Sequence, residues 1–121
     1  MTELDNIMLS PNATILAALE RLVDSQQQII LVVDESHRLL GTVVDGDVRR
    51  GILRKIPLES PIAEIMKLTP ATLTLEATRQ EALTLMQERG IHQLPVVDAE
   101  GRVIGLESLA GLLRQPQVEN W

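Results

Sequence analysis

Apolar and polar residues follow the same order twice along the chain. Apolar residues recur at helical spacing over residues 14–23 and again over residues 78–89. Each of these stretches is followed by a short apolar run, at residues 29–33 and 94–97, which predicts a buried strand. The two halves superpose without a gap at an offset of 64 residues. We infer that the chain contains two copies of one structural unit.

Each copy continues with a polar turn, a second strand and a second helix. The spacing of strand, turn and strand is that of a β-hairpin. The predicted elements are second strands at 38–44 and 102–106, closing helices at 45–54 and 107–114, and short opening strands at 7–8 and 72–73. The predicted fold class is therefore α/β (α+β), with two β-α-β-β-α units. Because one unit alone is too small to bury its sheet, we expect the two to pack face to face with pseudo-twofold symmetry.

Polar and conformationally special residues predict the ends of several elements. Asn12 is a predicted N-cap of the first long helix, and Gly90 is predicted to end the helix at 78–89. Pro61 is predicted as the first residue of a short helical turn at 61–66. The expected organisation is a first unit at 1–56, a linker at 57–71, a second unit at 72–115 and the start of another linker at 116–121.

Composition and charge restrict the partners. The chain has 121 residues, a formal net charge of −6, one tryptophan and no other aromatic residue, so neither nucleic acid nor a membrane is an expected partner. It has no cysteine, which excludes disulfides, thiolate metal sites and thiol catalysis. The N-terminus lacks the pattern of a signal peptide, and no apolar run approaches the roughly 20 residues of a membrane helix. We therefore expect a cytoplasmic location.

Short motifs at equivalent places in the two copies carry a family resemblance. They are L-V-V-D at 31–34 with G-T-V-V-D-G-D at 41–47, and L-P-V-V-D at 94–98 with G-L-E-S at 105–108. In this tandem order they resemble the CBS domain, two copies of which form a CBS pair or Bateman module. The resemblance covers nearly the whole chain and implies a regulatory module rather than a catalytic one.

Three longer segments indicate a narrower resemblance. The segments D-G-D-V-R-R-G at 45–51, P-I-A-E-I-M at 61–66 and R-G-I-H-Q-L-P-V-V-D at 89–98 are similar to the CBS pair at the N-terminus of bacterial sugar-phosphate nucleotidyltransferases. That resemblance implies a nucleotidyltransferase domain on the C-terminal side. The 121 residues contain no G-G-x-G-T-R loop of such a domain, so we expect a regulatory part of a larger enzyme.

The CBS resemblance also implies a ligand and residues to bind it. CBS pairs bind adenosine-type ligands (AMP, ADP, ATP or S-adenosylmethionine) in the clefts between the units. The resemblance implies that Asp47 is the carboxylate that binds the ribose. Gly111 stands at the equivalent position of the second copy. The motif's hydroxyl position holds Val44 in the first copy and Ser108 in the second. Neither copy thus keeps the full pattern.

Further residues are predicted to surround the same ligand. Arg49 and Arg50 are candidates for the phosphates, although they could equally form an exposed helical face. His92 could contact the ligand or be a structural histidine. The remaining candidates, mostly apolar residues for the base, are Ile29, Ile30, Leu31, Thr72, Ile91 and Leu94.

The sequence also permits a different function. The alternative is a ligand-free structural module that forms a homodimer through its helices, whose apolar faces include residues 16, 19 and 23 and residues 83 and 86. The D-G-D sequence at 45–47 is also what a helix start with acidic residues looks like, and an EF-hand is excluded because its twelfth position is Ile56. No metal site and no catalytic residues are predicted.

Overall fold

A computed structural model of the chain describes residues 3–25 and 27–114. The helices are α1 (Glu3–Asn6), α2 (Ile15–Asp24), α3 (Asp45–Leu53), α4 (Arg79–Arg89) and α5 (Leu109–Arg114). The strands are β1 (Met8–Leu9), β2 (Ile30–Val33), β3 (Leu39–Val43), β4 (Gln93–Val97) and β5 (Val103–Ser108), and a 3-10 turn spans Ile62–Glu64. None of these helices is both long and apolar enough to cross a membrane.

The two units have the same strand arrangement. In the first unit (β1, α2, β2, β3 and α3), β1 pairs in parallel with β2, and β2 pairs antiparallel with β3. In the second unit (Leu73, α4, β4, β5 and α5), β4 pairs antiparallel with β5, and the single residue Leu73 bridges Val96 in parallel where β1 would be. Both hairpins change register at equivalent places, Val32/Val33 and Val96/Val97. The predicted mixed fold of two β-α-β-β-α units is confirmed.

The two hairpin turns pair with each other. In each turn an aspartate side chain accepts two backbone N–H groups, and the residue two positions before the second strand has a positive φ, 67° at His37 and 85° at Gly101. The N–H of Leu39 donates to the carbonyl of Gly101 at 3.0 Å, and the N–H of Val103 donates to the carbonyl of His37 at 2.9 Å. These reciprocal bonds lie at equivalent positions of the two copies, so the units are related by a local pseudo-twofold axis.

The starts of the long helices correct one prediction. The N-cap of α2 is Thr14 and not Asn12, because the Thr14 hydroxyl accepts the Ala17 N–H at 3.0 Å. Thr78 caps α4 in the same way, because its hydroxyl accepts the Glu81 N–H. The Glu81 carboxylate in turn accepts the Thr78 N–H. Asn12 instead lies in the turn before the helix, where its own N–H donates to the Ser10 hydroxyl.

Other boundaries differ slightly from expectation. Gly90 ends α4 in the left-handed conformation, as predicted. Pro61 is the residue before the 3-10 turn and not its first residue, because its ψ of 146° is extended. Strand β5 continues to Ser108, and α5 starts two residues later than predicted, because Glu107 and Ser108 still pair with Leu94 and Gln93.

Helix α2 buries a narrower stripe than the sequence pattern indicated. Ile15, Ala18 and Leu22 are its buried residues, whereas Leu16 and Val23 remain exposed. The buried side packs against the sheet of the first unit in a core that also includes residues of the linker. A separate, smaller core holds α4 and α5 on the second sheet.

Candidate functional site

A cleft of about 800 Å³ opens between the two units. This volume is typical of sites that hold a small molecule. The first unit contributes residues of α2, β3 and the start of α3 to its wall, and the linker contributes residues 65–67, 70 and 71. The second unit contributes residues 89–93 and Pro95, from the end of α4 and from β4. The cleft therefore depends on both units and on the linker that joins them.

The carboxylate of Asp47 is fixed at the wall of this cleft by the start of α3. Its Oδ2 accepts the backbone N–H of Val44, the N-cap residue, at 2.9 Å. Its Oδ1 accepts the guanidinium of Arg50 at 2.6 Å. The Asp47 side chain is only 12% exposed, although it lies at the edge of an open cleft. Helix capping therefore gives the carboxylate a fixed position and direction.

The equivalent position in the second unit retains the other half of the same capping motif. The hydroxyl of Ser108 accepts the N–H of Gly111 at 3.0 Å, at the start of α5. A full capping box needs a hydroxyl at the N-cap and an acid three residues later. The first unit has only the acid and the second has only the hydroxyl. Among the described residues, only the first unit therefore has a carboxylate at this position of the motif.

Six of the predicted ligand residues line the cleft, among them Ile29 and Ile91 in its apolar wall. Val44, Asp47 and Arg50 lie there at the start of α3, and His92 lies there from the segment before β4. The structure thus brings together residues from both units that the sequence named separately. Their contact with a ligand stays a prediction.

The other six predicted residues lie elsewhere. Ile30 and Leu31 are fully buried in the first core, and Leu94 is fully buried in the second. Arg49 forms an exposed ion pair with Asp45 at 3.4 Å, Thr72 is exposed outside the cleft lining, and Ser108 caps α5. A role for these residues in binding also stays a prediction, with no support from the lining of the cleft.

Two basic residues that the sequence did not single out also line the cleft. Lys67 lies at its edge because its backbone pairs with Thr42 of β3, with N···O distances of 2.8 and 3.1 Å. Arg89 lies there at the end of α4. Neither side chain forms an ion pair within residues 3–25 and 27–114. Arg89 could have been found from its place beside Gly90, in the same segment as His92.

The remaining wall of the cleft is apolar. It is formed by aliphatic side chains, among them Leu19, Leu22, Ile29, Met66 and Ile91. Such a wall can bury a planar ring without an aromatic partner, because apolar burial does not depend on direction. Within the described chain, no three His, Asp or Glu side chains are grouped as for a metal ion. The cleft combines an apolar wall, one held carboxylate and three cationic side chains.

The chain belongs to the CBS-domain family, whose model matches residues 1–54 and 62–113, one match for each unit. It is a tandem CBS pair. Over 85 residues it is 36% identical to the arabinose 5-phosphate isomerase KdsD of Pseudomonas aeruginosa. That match covers 69% of this chain but only 26% of the isomerase.

Solved structures share the fold. The chain superposes with a TM-score of 0.78 on CBSX2 in complex with AMP, at 25% identity, covering 88% of this chain and 84% of that one. It superposes with a TM-score of 0.76 on the cytosolic domain of the Mg²⁺ channel MgtE in complex with ATP, at 27% identity, covering 88% of this chain and 43% of that one.

Proposed function

We propose that the chain is a regulatory module that binds an adenosine-type nucleotide in the cleft between its two units. The observation that carries this proposal is the position of Asp47, whose carboxylate lies at the cleft wall beside an apolar surface and basic side chains. An ionised carboxylate can accept both hydroxyls of a ribose. The apolar wall would take the base, and Arg50, Lys67 and Arg89 would face the phosphates. CBSX2 and MgtE, which share the fold, were solved with AMP and ATP.

A thermal-shift experiment with AMP, ADP, ATP and S-adenosylmethionine tests this proposal. A ligand at 100 times its Kd stabilises the folded state by about 2.7 kcal/mol, which moves the Tm by several degrees in a domain of this size. The variant Asp47→Asn keeps an oxygen to accept the Val44 N–H but loses the charge, and it should reduce the shift. Asp24→Asn, at the exposed end of α2, is the matched control. No shift with any ligand, or an equal shift in Asp47→Asn, would overturn the proposal.

We further propose that nucleotide binding regulates an attached sugar-phosphate nucleotidyltransferase domain in the cytoplasm. A ligand that binds two arrangements of the units with different affinity shifts their equilibrium, and an attached domain can respond to that shift. The similarity to KdsD makes a sugar isomerase domain the competing possibility. The coding sequence that follows residue 121 tests this. A G-G-x-G-T-R loop there would support the proposal, and its absence would count against it.

Homodimerisation through the helices is a second proposal, independent of ligand binding. Leu16 of α2 and Leu53 of α3 are exposed apolar side chains on the first unit. Sedimentation of the wild type and of Leu16→Glu tests whether such a face joins two copies. A dimer that dissociates in the variant supports the proposal, whereas a monomer at all concentrations overturns it.

A further inference from the structure

The guanidinium of Arg50 covers the carboxylate that the proposed nucleotide would need. Its Nη2 lies 2.6 Å from Oδ1 of Asp47, while the other Asp47 oxygen is bound to the Val44 N–H. The Arg50 side chain is 65% exposed and the Asp47 side chain 12%. In this ion pair the carboxylate is therefore largely buried, while the guanidinium is exposed at the open side of the cleft.

Gly46 allows this arrangement. A Cβ at this position would lie 3.2 Å from Nη1 of Arg50, tighter than an ordinary van der Waals contact. The guanidinium can thus fold back over the first turn of α3, directly above the wall of the cleft. Arg49, the preceding residue, instead pairs with Asp45 and does not line the cleft. Of these two arginines, only Arg50 pairs with the carboxylate of Asp47.

We propose that Arg50 makes binding in this cleft depend on a phosphate group of the ligand. We call this role of the Arg50 side chain the latch. This inference rests on the proposed nucleotide binding. A ribose hydroxyl that approaches Oδ1 of Asp47 competes with the guanidinium for this oxygen. A ligand with a phosphate offers that guanidinium a new bidentate partner, whereas a nucleoside without a phosphate does not. This competition therefore costs a nucleoside more than it costs a nucleotide.

The other charges of the cleft act in the same direction. Lys67 and Arg89 line it from the linker and from α4, and neither has an ion-pair partner among the described residues. Asp45 and Asp47 are the acids of the lining, and both are paired, with Arg49 and Arg50. In a chain with a net charge of −6, the cleft thus presents cations to a ligand. A phosphate that draws Arg50 away from Asp47 has two more cations near it.

Calorimetric titration with adenosine and with AMP, which differ by one phosphate, tests the latch. For the wild type we expect AMP to bind at least tenfold more tightly than adenosine. In Arg50→Ala we expect AMP to bind about tenfold more weakly, while adenosine binds as well as before or several-fold more tightly. The control Arg54→Ala removes an exposed charge just beyond α3, outside the cleft lining, and should change both affinities less than twofold.

The outcomes separate the latch from the proposed function. If the wild type binds neither adenosine nor AMP, the proposed function fails and the latch with it. If both bind but Arg50→Ala leaves their ratio unchanged, weakens both equally, or matches Arg54→Ala, only the latch is overturned. A second measurement follows the Arg50 side-chain NMR resonance during each titration. The latch requires this resonance to differ between the AMP complex and the adenosine complex at equal saturation, because only AMP gives the guanidinium a phosphate partner.

Discussion

The two units differ most in the groove beside the outer strand of each sheet. In the first unit the linker fills this groove. Ile62 is completely buried there, its N–H donates to the carbonyl of Ala13 at 2.8 Å, and Lys67 pairs with Thr42 of β3. The linker thus supplies both apolar side chains and backbone partners to a sheet edge that would otherwise be open.

The equivalent groove of the second unit is a cavity of about 320 Å³. Ala77 and Leu106, the counterparts of Ala13 and Thr42, line it, and none of the described residues fills it. The core on the sheet of the first unit accordingly has fourteen buried apolar residues in the described chain, including two from the linker and Val103 from β5, against five in the core of the second. A duplicated sequence therefore builds the same elements twice, but a segment outside the repeat decides how well each copy is packed. We expect the second unit to open first.

The largest expected effect comes from emptying the groove of the first unit. Ile62→Ala removes a completely buried side chain and should lower the free energy of unfolding by about 2–5 kcal/mol. Urea denaturation measures this loss. Leu68→Ala, on the same linker at a side chain that is 70% exposed, should change stability by less than about 0.5 kcal/mol. Equal effects of the two substitutions would contradict a structural role for the linker.

A matched pair of glycines tests the same difference at the sheet edge. A Cβ on Gly41 would lie 2.6 Å from the carbonyl oxygen of Lys67, whereas one on Gly105 would meet only Val96 at 3.7 Å. Gly41→Ala should therefore destabilise the protein by about 1–3 kcal/mol through overpacking. Gly105→Ala should be neutral or slightly stabilising. Thermal unfolding of both variants gives the comparison, and a larger loss for Gly105→Ala would show that the two grooves are wrongly assigned.

A smaller difference is expected at the N-caps of α2 and α4. The Ala17 N–H bound by Thr14 is partly buried, while the Glu81 N–H bound by Thr78 is exposed and can bond to water. We expect Thr14→Ala to cost about 1–2 kcal/mol and Thr78→Ala about 0.5–1 kcal/mol. Chemical denaturation of the two variants tests this order. The conservative variants Thr14→Ser and Thr78→Ser retain the hydroxyl and should recover most of each loss.

The duplication made much of this fold predictable from the sequence. Strand, turn and helix signals recur in the same order, and one copy supports the assignment of the other. The cap of α2 was still misplaced, because Asn12 is a good capping residue in isolation. Thr14 and Thr78 lie at equivalent positions of the repeat, and comparing the two copies would have identified both caps.

The candidate site was less predictable, for two physical reasons. All four residues of β2 are buried, so the sequence pattern does not show that Ile30 faces a core and not the cleft. Lys67 was missed because its position depends on the path of the linker and its pairing with Thr42, which local patterns do not encode. Asp47 was predicted at the cleft because it stands in a short local sequence that resembles the CBS motif.

The smallest expected difference lies in the two hairpin turns. The pKa values of Asp34 and Asp98 both lie below 3.8. The main cause is a hydrogen bond from a backbone N–H, that of residue 38 to Asp34 and that of residue 102 to Asp98. Of the two, only Asp98 also accepts a side-chain bond in its turn, from the Arg102 guanidinium at 3.0 Å. This hydrogen bond, and after it the charge of Asp98, raises the pKa of Arg102. A lowered carboxyl pKa stabilises the fold above the unfolded value, and this contribution is lost as the pH falls through the folded pKa.

Removing the two arginine side chains should therefore act unequally on these turns. Arg102→Ala should raise the pKa of Asp98 measurably, because it removes the bonded guanidinium. Arg38→Ala should move the pKa of Asp34 less, because the Arg38 side chain lowers it through its charge and not through a hydrogen bond. Carboxyl ¹³C NMR titration between pH 2 and pH 6 measures both values. Equal shifts would mean that the arginine charge acts alike in both turns and that the side-chain bond does not distinguish the second turn from the first.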